Sequence, residues 1–311
     1  MGIAARMNEH RVDYCCHAGK RIAVLHMMAP PVNAFSLALR RGLLEALQRA
    51  RADESVAAVV LAGAGRGFSA GGDIREFGTP DAAAEPGLSS HIHVAIETLG
   101  KPVIATAHGF ALGGGLETLL ACHYRIAESD TRLGLPEVGL GTLPLSATQR
   151  LPRLIGILPA LRMMVEGTPG TPGTAAQWAD GPLFDAVVES GGALQAALRL
   201  ATELIERPLD ANALAQRLVR HRPWPDADPQ QALIHAELWL HLRPHDAVAR
   251  TAFAAIEAGV QAPDFDSGLA IARQFYDALM DGERIVQGRD RFLAGHASPA
   301  VEPENNKEWP T

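Results

Sequence analysis

The stretch PVIATAHGFALGGGLETLLACHYRIA, residues 102–127, decides the fold. Residues 102–107 are an apolar, β-branched run of strand length. They end in the glycine cluster Gly113-Gly114-Gly115, and Leu116 to Ala127 then read as a helix running into another strand. The same pattern stands upstream. Val56 to Ala62 (VAAVVLA) is unbroken and apolar, as expected for a strand buried on both faces, and ends in Gly63, Gly65 and Gly67. Residues 21–28 (RIAVLHMM) form a third run, ending at Pro30-Pro31. Between these runs Ser36 can cap a helix in which Leu39, Leu43 and Leu47 recur every four residues. Strands that alternate with helices and carry glycine turns at their ends predict an α/β domain with short parallel strands.

The pattern changes after about residue 190. Residues 193–206 have helical spacing, Arg207 to Pro229 read as a proline-containing connection with a short helix, and Gln230 to Ala294 are helical in nearly every window. Ser298 to Thr311 is polar, with three prolines. The expected organisation is a core over 1–190, an all-helical region over 191–297 and a loose tail over 298–311.

Composition narrows the function. Of the 311 residues, 47% are apolar and 20% charged, enough to bury a sizeable core and to exclude a fully disordered chain. A net charge of −7 argues against a general nucleic-acid binder. No apolar run approaches the ~18–20 residues of a membrane span. The first twenty residues carry Arg6, Glu9, Arg11 and Asp13, and no secretory signal is visible. Cys15, Cys16 and Cys122 make neither a disulfide framework nor a metal-ligand spacing, so no metal is expected. An intracellular protein follows, with the cytoplasm as its expected location.

Three segments can carry chemistry. In Gly67-Phe68-Ser69-Ala70-Gly71-Gly72-Asp73-Ile74 the glycine pair can turn backbone N–H groups outward as a cradle for an anion or carbonyl, or simply make a tight turn. It is not a dinucleotide fingerprint, because no helix and ribose-binding carboxylate follow. In Gly109 to Glu117 three glycines open a helix whose N-terminus offers free N–H groups. Glu117 in its first turn is explained by the helix dipole alone, or by proton transfer beside a carbonyl polarised by Gly114 N–H. In Leu135-Pro136-Glu137-Val138-Gly139 the carboxylate is either a solvent-exposed turn residue or, if buried, a general acid with a raised pKa.

Together, in this order, the segments resemble the crotonase (enoyl-CoA hydratase/isomerase) superfamily. FSAGGDI is similar to its first oxyanion turn, ALGGGLE to the second turn with the first catalytic glutamate, and LPEVGLGTLP to the segment of the second glutamate, 20 residues on. The resemblance covers roughly residues 20 to 190. More narrowly, Pro30 to Ala34, CHYRIA (122–127), LPEVGLG (135–141) and Asp264 to Leu269 with Phe275, Leu279 and Phe292 resemble the hydratase half of bifunctional enoyl-CoA hydratase/3-hydroxyacyl-CoA dehydrogenases. No strand-GxGxxG-helix follows in this sequence, so NAD is not expected.

The resemblance implies a spiral of ββα turns with a helical C-terminal region, and an acyl-CoA ligand that brings its own coenzyme A. The thioester oxygen would lie between the N–H groups of Gly72 and Gly114. Ala70, Gly72, Asp73, Ile74 and Arg75 would run along the coenzyme A, with Arg75 toward a phosphate. Glu117 would be the base that activates water and Glu137 the acid that protonates Cα; in double-bond isomerisation Glu137 could act alone. His91, His93, His108 and His123 have no catalytic place. A homo-oligomer, trimer or hexamer, is implied, unless the C-terminal helices cover that surface as in the bifunctional relatives.

Three positions depart from the pattern. Leu145-Ser146-Ala147 stands where relatives have Gly-Ala-Gly-Gly before Thr148-Gln149-Arg150, and the N–H of Leu145 would take the place of the glycine N–H that faces the attacking water. Glu166 to Gly173 lacks the usual glycine and basic residue, and Ala272 stands where many relatives carry glutamate. The expected activity is an enoyl-CoA hydratase. The alternatives are a Δ3,Δ2-enoyl-CoA isomerase, another crotonase-type lyase, or a catalytically weak acyl-CoA-binding paralogue.

Overall fold

The computed structural model describes residues 11–19, 21–167, 173–242 and 247–295. The polar tail over 298–311 and most of the departure at 166–173 lie outside the described residues. Nine strands are found among them: β1 Arg11–His17, β2 Ile22–Met28, β3 Ala58–Gly63, β4 Val103–Ala107, β5 Phe110–Leu112, β6 Tyr124–Glu128, β7 Arg132–Gly134, β8 Gly173–Thr174 and β9 Ala186–Val188. The larger sheet has the order β1-β2-β3-β4-β6-β9, and the smaller one β5-β7-β8. β2 through β9 of the larger sheet pair in parallel.

The sequence reading missed β1, which pairs antiparallel with β2 at the sheet edge. Its residues RVDYCCH are exposed or half-buried and show no apolar alternation, so nothing in the pattern marks a strand.

Both faces of the larger sheet are covered. Val59 and Leu61 of β3 point into the main core, whereas Ala58 and Val60 join Ile22, Val24, Ile104 and Ile126 on the other face. That second face is closed by α6 (Ala193–Glu206), whose Ala193, Ala197 and Ala201 let the helix lie close to the strands. This explains the unbroken apolar run in β3, since every side chain of the strand is buried.

The other helices that matter here are α1 (Leu37–Ala52), α2 (Gly114–Ala121), α3 (Glu137–Leu140), α4 (Ala147–Arg150) and α5 (Ile157–Glu166). They are joined by α7 (Pro229–His241), α8 (Ala247–Gln261), α9 (Phe265–Met280) and α10 (Glu283–Leu293). Ser36 caps α1 as its type and position suggest, accepting from Leu39 N–H at 3.3 Å. The described elements of the C-terminal region are all helices, joined by short connections. Gln149 of α4 reaches into it and donates to the Ala255 carbonyl of α8 at 2.7 Å, while α10 packs on α3.

One asparagine aligns the first glycine turn. Asn33 is buried at φ +51°, a conformation that asparagine tolerates better than most residues. Its Oδ1 accepts from Ala29 N–H at 2.9 Å, and its Nδ2 donates to the carbonyls of Ala64 (2.7 Å) and Gly67 (2.9 Å). Its own carbonyl accepts from Ser69 Oγ at 2.6 Å. Asn33→Ala strips partners from three backbone groups and keeps the strained φ. It is expected to lower unfolding free energy by about 3 kcal/mol in urea denaturation, and a loss under about 1 kcal/mol would show that the turn is held by other contacts.

Candidate active site

The two glycine turns lie side by side because their strands do. Leu112 N–H donates to Ser69 O at 3.0 Å, and Ser69 pairs with Ala111 in a parallel bridge. Gly71 has φ +93°, and a Cβ there would press on Leu112 O and Gly114 N. Glycine therefore lets the first turn approach the start of α2. The N–H of Gly114 belongs to the first turn of α2, where no intrahelical acceptor exists. Neither it nor the N–H of Gly72 donates to another described residue. Both glycines line one cavity of about 850 Å³, together with Glu117 and Glu137.

Glu117, one turn into α2, is buried. Its Oε1 accepts from the backbone N–H groups of Ser146 (2.6 Å) and Ala147 (2.9 Å) at the start of α4. Burial raises its pKa, and these two donors and the charge of Arg150 offset only part of that rise. Glu137 opens α3, and the backbone donor that favours its charge is its own N–H. Its Oε2 is buried without a partner, and an added Cβ at Gly113 (φ +51°) would collide with its Oε1. Desolvation first, and the negative charge of Glu117 second, push the Glu137 carboxyl well above the usual range. The exposed-turn reading of Glu137 is thereby set aside. The pair is suited to holding one proton, on Glu137, and one charge, on Glu117.

The segment after Gly72 forms another wall. Glu76 accepts from Leu37 N–H (2.8 Å) and pairs with Arg40 (3.2 Å), and Arg40 also donates to the carbonyls of Asp81, Ala84 and Pro86. One buried arginine on α1 thus fixes the loop from 76 to 86, and several of that loop's residues line the cavity.

Of the residues singled out in the sequence, Gly72, Asp73, Gly114, Glu117, Glu137 and Leu145 line this cavity. Ala70, Ile74 and Arg75 are not among its lining residues. The N–H of Ala70 donates to Val32 O, Ile74 opens a single helical turn, and Arg75 pairs with Asp73 at 2.6 Å with most of its side chain exposed. Among the histidines, His93 and His123 are buried and held neutral by desolvation, the latter down to about 4. His108 reaches Gly65 O at 3.0 Å, and His91 lines the cavity. Ala272, where a glutamate was looked for, is fully buried on α9.

The sequence reading missed the far wall. Arg273, Tyr276, Asp277 and Met280 of α9 line the cavity. Their spacing of three and four residues puts them on one helical stripe, adjoining the face of Phe265, Gly268 and Ala272 that enters the core, with Tyr276 on the border between the two. That second stripe is the signal that could have found them.

The model of the family described as enoyl-CoA hydratase/isomerase matches residues 17–262. The chain belongs to this family. The peroxisomal bifunctional enzyme of Cavia porcellus is 33% identical over 291 residues, which cover 93% of this chain and 39% of that protein. A probable enoyl-CoA hydratase of Bacillus subtilis (strain 168) is 43% identical over 153 residues, 48% of this chain and 59% of that one. This chain thus spans about two fifths of the bifunctional relatives it matches. Among solved structures, an enoyl-CoA hydratase/isomerase from Pseudoalteromonas atlantica T6c has the same fold, with a TM-score of 0.66, 20% identity, and coverage of 92% of this chain and 98% of that one. Within this enoyl-CoA hydratase/isomerase family member, no helix among the described residues is long and apolar enough to cross a membrane. No group of three or more His, Cys, Asp or Glu among them could hold a metal ion.

A pH experiment tests the protonation assignment. A carboxyl whose folded-state pKa lies above its usual 4.5 keeps its proton while the unfolded chain has released its own. Stability is therefore lost as pH rises from about 4.5 toward the folded value. Glu137→Gln removes that loss, so its denaturation midpoint relative to the unaltered chain is expected to climb from pH 4.5 upward and then level off. A flat difference across that range would mean that Glu137 is not held protonated.

Proposed function

We propose that the chain is an enoyl-CoA hydratase that adds water across the 2,3 double bond of an enoyl-CoA thioester. The observation that carries this reading is one cavity lined by two unpaired backbone N–H groups and by two buried carboxyls, of which Glu137 is pushed well above the usual range while Glu117 has two N–H donors to support its charge. The thioester oxygen accepts from Gly72 and Gly114 N–H. Negative charge grows on that oxygen as Cβ is attacked, and two preorganised donors meet it without reorganisation. Glu117, ionised, takes a proton from water as the oxygen bonds to Cβ. The electron pair of the double bond moves into the enolate. Glu137 then gives its proton to Cα, and the carbonyl re-forms. Each carboxyl ends in the other's starting state, and exchange with solvent resets the pair. Gly72, Asp73 and Gly114 flank the thioester end, and Leu145 borders the water. Ala70, Ile74 and Arg75 are left to contacts with coenzyme A outside the cavity. The reading asks for no metal and no cofactor beyond the coenzyme A of the substrate.

One observation favours a second reading. Leu145 lines the cavity where relatives have glycine, and the next two N–H groups of its turn are engaged by Glu117. A crowded water site would suit a Δ3,Δ2-enoyl-CoA isomerase, in which Glu137 carries the proton between carbons and no water adds.

Loss of the conjugated-thioester absorbance of crotonyl-CoA decides between them. The unaltered chain is expected to remove it, and Glu117→Gln and Glu137→Gln are each expected to slow the reaction by about 10²–10⁴-fold with the fold intact. The double variant is expected to be little slower than the slower single, because the two carboxyls act as one unit. If only Glu137 matters, and 3-enoyl-CoA is converted, the isomerase reading replaces this one.

A further inference from the structure

The hydratase chemistry leaves one lone pair unaccounted for. The attacking water can give one proton toward Glu117 and the other toward the second carboxyl, and one of its lone pairs forms the bond to Cβ. Its remaining lone pair needs a donor. Oε1 of Glu117 is committed to Ser146 and Ala147 N–H, so the water meets Oε2. Those same two N–H groups are thereby withdrawn from the water, and the Leu145 N–H is the one donor of that turn not engaged by Glu117. The side chain of Leu145, just before them, is packed into the cavity wall and nearly inaccessible.

Across the cavity stands Tyr276 of α9. Its hydroxyl bonds to no described residue and is not among the buried polar atoms sealed from the cavity. The Arg273 guanidinium lies 5.4 Å from its ring centroid, on the same lining face. The phenol shares the cavity wall with both carboxyls and lies within electrostatic reach of each. Burial, then Glu117, push it up to about 12, so it remains a neutral O–H donor through the neutral range.

We propose that Tyr276 is a further catalytic residue, its phenol donating a hydrogen bond to the oxygen that adds to Cβ, as water before the bond forms and as the β-hydroxyl afterwards. The proposal rests on the hydratase reading. It gives the C-terminal helix a chemical part in the reaction, besides closing the cavity. The phenol neither gains nor loses a proton in the step. It holds the nucleophile at one angle to Cβ while Glu117 accepts the proton.

Tyr276→Phe tests this with two assays on one variant. Hydration of crotonyl-CoA is expected to fall about 10-fold in kcat with KM nearly unchanged, the size of one neutral hydrogen bond. Exchange of the α-protons of butanoyl-CoA with D2O uses the Gly72 and Gly114 donors and Glu137, and adds no water. It is expected to keep its rate. Loss of both rates together would make Tyr276 a structural residue, and loss of neither would leave the turn N–H as sufficient donor; either result overturns the proposal. An unaltered chain that exchanges α-protons but hydrates nothing overturns the hydratase reading itself, and this inference with it.

Discussion

The backbone N–H groups of Ser146 and Ala147, both aimed at one oxygen of Glu117, set the terms for the rest of the site. A carboxylate taken out of water loses many kilocalories per mole of hydration and survives as an ion only if donors replace that water. Here the start of α4 supplies them, with its dipole in the favourable sense. Placing that charge beside a second buried carboxyl then decides the second one's state. Glu137 has no donors on Oε2 and faces a negative neighbour, and both push its carboxyl well above the usual range. One local structural fact, the direction of two N–H bonds, thus sets two chemically identical side chains apart in how strongly each holds a proton. Gly113 completes the arrangement by leaving out the Cβ that would displace Glu137.

The walls of the cavity come from segments far apart in the chain, and each is held by its own set of interactions. Asn33 fixes the turn that carries Gly72, and Arg40 fixes the loop after it. α9 is seated through Gln149, whose side chain lies against Gly259 and Gly268 where an added Cβ would collide. The helical region therefore does more than extend the fold. It removes solvent from the carboxyls, and the desolvation that raises both of them depends on α9 being in place.

How much of this could be read beforehand follows from the range of the interactions. The apolar runs at 56–62 and 102–107 announce buried strands because every side chain in β3 and β4 is buried. Ser36 announces a cap because its partner, Leu39 N–H, is three residues away. The glycine turns and the two glutamates are legible as motifs, since each is a local backbone requirement. β1 escapes notice because an edge strand exposed on both sides needs no apolar pattern. The wall formed by α9 escapes because Tyr276 shares a cavity with Glu117 across about 160 intervening residues, and no local spacing encodes that arrangement. Ala70, Ile74 and Arg75 share a motif with Gly72 and Asp73 yet turn away from the cavity, because a tight turn sends neighbouring residues in different directions.

Behind Glu117 runs a chain of buried charges that no catalytic step touches. Arg150 is almost fully buried and pairs with Glu97 at 2.6 Å, Glu97 also accepts from Arg220 at 3.1 Å, and Arg220 pairs with Asp266 at the surface. Buried pairs of this kind are weak evidence for stability, since hydrophobic replacements often do as well. Their position suggests another use. Arg150 is the positive charge that favours ionised Glu117, and it lies at the end of the short helix whose start donates to that same carboxylate. A bare arginine there would pay its full desolvation cost. Glu97 neutralises it without approaching the cavity, and Arg220 in turn balances Glu97 out to solvent. The alternating row lets a positive charge stand close behind Glu117 without being left unpaired in the interior.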